Sequence, residues 1–172
     1  MVQGDFRKIE AFEPVIKKMN YIIHSVTEWW GTEQTIEVNV NKTKTFFLMT
    51  DPAVCKRIMY FSTASILGKG GVVVKEAEMY GSDYIKSKYK AYHMIQSLPM
   101  ASSITVLFPT LVFGGDQLYP QSHITSGVMG AVKYLKYLKY ITVDGGFHFL
   151  HADDIAKVAV QSLLKDSEYK EY

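Results

Sequence analysis

A chain of 172 residues, 48% hydrophobic and 21% charged, is long enough to bury one substantial core, and its composition excludes disorder and collagen-like repeats. Its 19 basic against 17 acidic residues leave a net charge of +2, too slight for a partner held by bulk electrostatics, so neither nucleic acid nor a membrane surface is expected. The single cysteine, Cys55, excludes an internal disulfide framework and a cysteine-rich zinc site and points to a reducing, cytoplasmic setting. Residues 1–8 (MVQGDFRK) hold no apolar signal core, and no apolar run nears the ~18 residues of a membrane span, so the chain reads as soluble.

Residues 19–26 (MNYIIHSV) form an apolar, β-branched run followed by Thr27 and Glu28, the pattern of a buried strand ending in a loop. Over 32–49 (TEQTIEVNVNKTKTFFLM), Ile36, Val40 and Phe47 recur near helical spacing and predict a helix. Residues 56–62 (KRIMYFS) predict a second strand. Residues 83–98 lack Gly and Pro and carry Ile85, Tyr89, Tyr92, His93 and Ile95 on one face of a helix, with Asp83 as its expected N-cap. A third strand, 102–108 (SSITVLF), is stopped by Pro109, which has no N–H to give a ladder. Beyond it the pattern predicts a Gly-rich turn at 113–116, a helix over 124–138, a short strand at 140–143 and a closing helix over 154–164. The KYLKYLKY run at 133–140 fits an amphipathic helix with solvated lysines better than a structural repeat.

Strands alternating with helices predict parallel pairing through right-handed crossovers, hence an α/β sheet with helices on both faces. Two units are expected: a core over 1–112 and a small substrate-facing lobe over 113–172. The carboxyl ends of the strands are where such a sheet binds ligands, and the strand at 56–62 ends in the hydroxyls of Ser62, Thr63 and Ser65. Loop-forming and capping uses of these hydroxyls are equally ordinary. On the helix that follows, Tyr84 and Lys88 stand four apart and share a face. A free phenol titrates near ~10, so its use as an acid/base at neutral pH requires about 4 kcal/mol of differential stabilisation of the phenolate, which a nearby cation supplies. Taken alone the pair is also ordinary packing; the ordered series of strand-end hydroxyls, Tyr-x-x-x-Lys helix and Pro-ended strand is more specific.

That series resembles the extended short-chain dehydrogenase/reductases, in particular the NAD-dependent epimerase/dehydratase family. Gly4-Asp5-Phe6 resembles the turn that meets adenine, Ile22-Ile23-His24-Ser25 the strand beside the cofactor, and Asn39-Val40-Asn41-Lys42-Thr43 the Asn-Val-x-Gly-Thr helix with Lys42 in place of Gly. Residues 61–68 (FSTASILG) are similar to the Ser-Ser-x-x-x-Tyr-Gly segment, and 149–155 (FLHADDI) to an element near the end of the substrate lobe. The resemblance implies a Rossmann-like fold, NAD or NADP as cofactor, and an oxidoreductase, epimerase or dehydratase reaction at a hydroxyl or carbonyl carbon. It makes Tyr84 the acid/base, Lys88 the holder of the nicotinamide ribose that also lowers the phenol pKa, and Thr63, with Ser62 beside it, the hydroxyl that meets the reacting oxygen. Asp5, Phe6, Ser25, Val26, Asn39 and Pro109 become cofactor contacts beside Tyr84 and Lys88. Asp153 and Asp154 are assigned to a helix start rather than to catalysis.

The family's Gly-x-x-Gly-x-x-Gly turn is absent from these 172 residues, and Met1-Val2-Gln3 resembles the tail of a third strand. The expectation is therefore the middle and later parts of a larger enzyme, with the strand at 21–26 left as an apolar edge. Without the glycine turn's N–H groups for a pyrophosphate, the 172-residue chain by itself is expected to bind dinucleotide weakly or not at all; micromolar NAD(P)H affinity in calorimetry contradicts this. A noncatalytic Rossmann-like binding or regulatory protein is the alternative, though it needs none of Thr63, Tyr84 and Lys88. The expected partner is a small molecule, with nucleotide-sugars and other alcohols or ketones all open; self-association is open too. Trp29, Trp30 and His24 fall at the family's substrate mouth, where the indoles either stack on a flat ligand or pack beneath a loop.

Overall fold

The computed structural model describes residues 2–114 and 148–164. Its centre is a parallel sheet of β1 (Tyr21–His24), β2 (Arg57–Phe61) and β3 (Ile104–Leu107), in that spatial order. The register sets Ile22 beside Ile58 and Ile58 beside Ile104, so alternate residues of the apolar runs form one continuous face. Onto that face pack Phe46, Phe47, Ala91, Tyr92 and Ile95 from the helices. On the opposite face Met59 and Leu107 meet Ile155, Ala159 and Leu163 of the closing helix, here α6 (Ala152–Leu164). Both faces are thus covered by helices, as the alternating strand and helix pattern predicts. Among the described residues β1 is one edge of this sheet: Tyr21 and Ile23 are 44% and 48% exposed, because they lie beyond the cluster that α6 covers.

The helix expected over 32–49 is present in three parts. α2 (Thr32–Ile36) runs into a π-helical stretch (Glu37–Lys42) and on into α3 (Thr43–Leu48). Asn39 in the wider stretch and Thr43 at the start of α3 are both buried, and Thr43 Oγ1 donates to the carbonyl of Val38 at 3.0 Å. A short α1 (Glu13–Ile16) precedes β1, following a 3-10 turn at Phe6–Phe12 capped by Asp5.

After β2, α4 (Glu76–Tyr80), which local periodicity did not predict, leads to α5 (Asp83–Gln96). The N-cap of α5 is Ser82, whose Oγ accepts from Ile85 N at 3.4 Å, and not Asp83. Asp83 falls inside the first turn, where its carboxylate suits the helix dipole, and it accepts a hydrogen bond from Thr32 Oγ1 at 2.9 Å.

Past β3, β4 (Leu111–Phe113) pairs in parallel with β5 (Phe149–His151), which passes directly into α6. The division expected at residue 112 falls inside β4, and α6, on its far side, packs against β2. The Gly-rich turn at 113–116 is described as far as Gly114, whose φ of +125° is open to glycine. The helix at 124–138, the strand at 140–143 and the KYLKYLKY run lie outside the described residues. Asp153 and Asp154 occupy the first turn of α6 and are 78% and 62% exposed at their side chains, which fits a helix start. Among the described residues no helix is long and apolar enough to cross a membrane, and no group of three or more His, Cys, Asp and Glu could hold a metal ion.

Candidate active site

Past β2 the hydrogen-bond ladder to β3 continues into the loop: Ser62 N donates to Leu107 O at 2.8 Å and Ala64 N to Pro109 O at 2.9 Å. This fixes Thr63, whose Oγ1 accepts from Ser65 N and donates to Ser65 Oγ, both at 3.2 Å, and whose hydroxyl is near enough to favour the ionised form of the Tyr84 phenol. Pro109 therefore braces the hydroxyl loop through its carbonyl. Ser62 Oγ is buried and has no hydrogen-bond partner among the described residues, a polar atom left open beside Thr63.

α5 carries Tyr84 and Lys88 one turn apart. Lys88 is 2% exposed. Its Nζ donates to Phe61 O at 2.8 Å and to the Tyr60 hydroxyl at 3.5 Å, and it sits 5.0 Å from the Tyr60 ring centroid and 5.8 Å from that of Tyr84. Burial without a carboxylate partner lowers the ammonium pKa to about 7. Against the expectation that Lys88 lowers it, burial raises the Tyr84 phenol above its ordinary value, and the Thr63 hydroxyl opposes the rise. Tyr60 is fully buried and raised further, by burial and by the neighbouring Tyr84.

A second region lies at the carboxyl end of β1. A cleft of about 490 Å³ is lined by Asp5, Phe6 and Val26 together with Glu28, Glu33 and Glu37, and its volume falls within the range of small-molecule sites, ~300–1,000 Å³. Three of the expected cofactor contacts thus share one cleft. Asp5 is exposed and held down to about 2 by hydrogen bonds from Arg7. Ser25 is exposed just beyond β1 and is not among the lining residues.

Asn39, expected to touch cofactor, is 1% exposed and its amide is fully engaged within the protein. Oδ1 accepts from Glu28 N at 2.8 Å and Thr27 Oγ1 at 3.3 Å; Nδ2 donates to Glu28 O and Ser87 Oγ, both at 2.8 Å. It ties the loop after β1 to α5. His24 is not at a mouth either: it is 3% exposed, ringed by Phe6, Phe46, Phe47 and Tyr60 at 5.3–5.5 Å between centroids. The two indoles diverge. Trp30 is 82% exposed, while Trp29 stacks on the Tyr84 ring at 4.1 Å with planes 18° apart.

All 172 residues match the model of the NAD dependent epimerase/dehydratase family. The chain belongs to this family. Solved structures of similar fold include the dTDP-glucose 4,6-dehydratase of Streptomyces venezuelae with NAD and TYD bound, at a TM-score of 0.75 and 19% identity over 99% of this chain and 56% of that one. The Bordetella bronchiseptica enzyme WbmG in complex with NAD and UDP gives 0.71 and 16%, over 99% and 56% of the two chains. The Helicobacter pylori ADP-L-glycero-D-manno-heptose-6-epimerase gives 0.70 and 16%, over 99% and 58%. The present chain therefore spans little more than half the length of these relatives. No curated protein matches it significantly in sequence. For an epimerase/dehydratase family member, the residues that local patterns missed are Tyr60, the buried ring beneath Lys88, and Ser87, whose hydroxyl receives Asn39. Neither carries a motif; only packing reveals them.

Proposed function

We propose that this chain carries the acid/base centre and part of the dinucleotide cleft of an NAD(P)-dependent enzyme that oxidises, reduces, epimerises or dehydrates at a hydroxyl-bearing carbon. The observation that carries the reading is the Lys88 ammonium, buried at the carboxyl end of a parallel strand on Phe61 O and 5.8 Å from the Tyr84 ring, with the Thr63 hydroxyl acting on the same phenol. The cleft beside β1, with the Phe6 ring and Val26 as apolar walls and Asp5 as an acceptor, has the size and donor–acceptor character for the adenosine half of a dinucleotide. When bound, the nicotinamide would supply or accept the hydride.

The chain's own residues handle the proton. Thr63 orients the reacting oxygen toward the phenol, and Tyr84 gives or takes its proton. The raised phenol pKa keeps Tyr84 protonated at neutral pH, ready to donate to a carbonyl oxygen. For the reverse direction Lys88 must be charged, and with its pKa near 7 any neighbouring negative charge that binding brings in pulls it into the ammonium form. Relatives of the same fold are solved with UDP or TYD bound, which favours a nucleotide-sugar as substrate over other alcohols and ketones.

Assayed with NAD(P) and a panel of nucleotide-sugars, the enzyme carrying Tyr84→Phe is expected to lose turnover by ~10²–10⁴-fold, the range for a general acid/base, with cofactor affinity nearly intact. An unchanged rate removes Tyr84 from the chemistry.

A further inference from the structure

The loop between β1 and α2 places Trp29 against the phenol by a chain of hydrogen bonds rather than by apolar contact alone. Glu28 Oε1 accepts from Trp29 N at 2.9 Å and from Trp30 N at 3.3 Å. The Glu28 backbone is gripped at N and O by the Asn39 amide. The remaining Asn39 donor goes to Ser87 Oγ, and that hydroxyl donates to Tyr84 O at 2.7 Å. One buried amide therefore references the backbone that carries Trp29 to the backbone that carries Tyr84.

A tyrosine at the start of a helix can swing about χ1 between staggered wells. With an indole plane 4.1 Å away and nearly parallel, the swing toward that side is blocked. The same plane keeps water off one face of the ring. Trp29 is itself 43% exposed, so it acts as a wall between solvent and phenol.

We propose that Trp29 is a positioning residue for the Tyr84 phenol, its indole holding the ring in place and closing one ring face to water. This rests on Tyr84 as the acid/base, yet its test does not need turnover. The titratable groups set against Tyr84 are Lys88 from its own helix and Tyr60 from β2; a Trp29 substitution replaces neither. Burial is the leading cause of the raised phenol pKa, so admitting water lowers it toward the ordinary value.

The experiment uses the 172-residue chain with ¹³Cζ-labelled tyrosine, the Tyr84 resonance being assigned by its loss in Tyr84→Phe. In Trp29→Ala the Tyr84 titration midpoint falls toward that of a free phenol, and nitration of Tyr84 by tetranitromethane at pH 8, read by peptide mass, speeds up at least a few-fold. Trp29→Phe, which keeps a flat ring, restores both toward wild type. An unchanged midpoint and nitration rate in folded Trp29→Ala overturn the proposal. Should that variant not fold, Trp29→Leu, bulky but without a plane, carries the same comparison. Retained turnover in Tyr84→Phe would sink the acid/base assignment while leaving the Trp29 result standing.

Discussion

Lys88→Met is expected to make the fold more stable at pH 7 while abolishing turnover. The ammonium is 2% exposed with a carbonyl and a phenol as its hydrogen-bond partners, and its pKa falls from 10.5 to about 7. The folded state prefers neutral lysine, so the unfolded chain binds more protons across the window from about 7 to 10.5. Stability from this group is fully present above 10.5 and is lost as pH falls to about 7. The loss over that window is ~4–5 kcal/mol at ~1.4 kcal/mol per unit. Urea unfolding should show wild type gaining stability from pH 7 to pH 10 relative to Lys88→Met, which lacks this rise and is ~2–4 kcal/mol more stable at pH 7. Equal stability of the two chains at pH 7, with parallel pH profiles, would show that the buried cation carries no such cost.

At the acid end the sensitive group is His24. Desolvation among its aromatic neighbours, with the Lys88 charge adding to it, lowers its pKa from 6.5 to about 3. Its Nδ1 has no hydrogen-bond partner among the described residues, and Nε2 lies 3.4 Å from Thr43 Oγ1. The fold holds the neutral imidazole. Stability from this choice is complete above pH 6.5 and drains as pH falls toward 3, by about 3 kcal/mol between pH 6.5 and 4. His24→Leu, which keeps the side chain apolar and of similar size, should unfold at markedly lower pH than wild type. The same acid midpoint by circular dichroism in both chains would acquit His24.

These two groups illustrate what a sequence discloses. The strands at 21–24, 57–61 and 104–107 were legible because β-branched and aromatic residues run together there, and α5 because fourteen residues pass without Gly or Pro. The nearness of Tyr84 and Lys88 on one helix face was legible through their spacing. Partner choice was not. Asn39 reads as a polar residue free to meet a ligand, yet Glu28, Thr27 and Ser87, eleven, twelve and 48 positions away, take its whole amide. His24 reads as a strand-end side chain near a mouth, but alternation turns it inward beside Ile22's face. Ser82 and Asp83 are both good caps, and only backbone geometry decides between them. The β4–β5 pairing joins residues 38 apart at Leu111 and Phe149, a separation that no local pattern spans.

The π-helical stretch at 37–42 can also be understood as one surplus residue accommodated in a helix. Each α-helical residue advances the side chain about 100° around the axis, so excising a single residue there would tighten the turn and swing every earlier side chain by that amount relative to α3. The shortened helix would be locally more comfortable, since wide turns are rare and persist mostly at functional sites. It would also pull Asn39 out of step with either Thr43 or Ser87, cutting the loop of Trp29 loose from α5. The irregularity is a phase adjuster: it lets one helix serve the aromatic core at Phe46 and Phe47 and the loop that carries Trp29 at once.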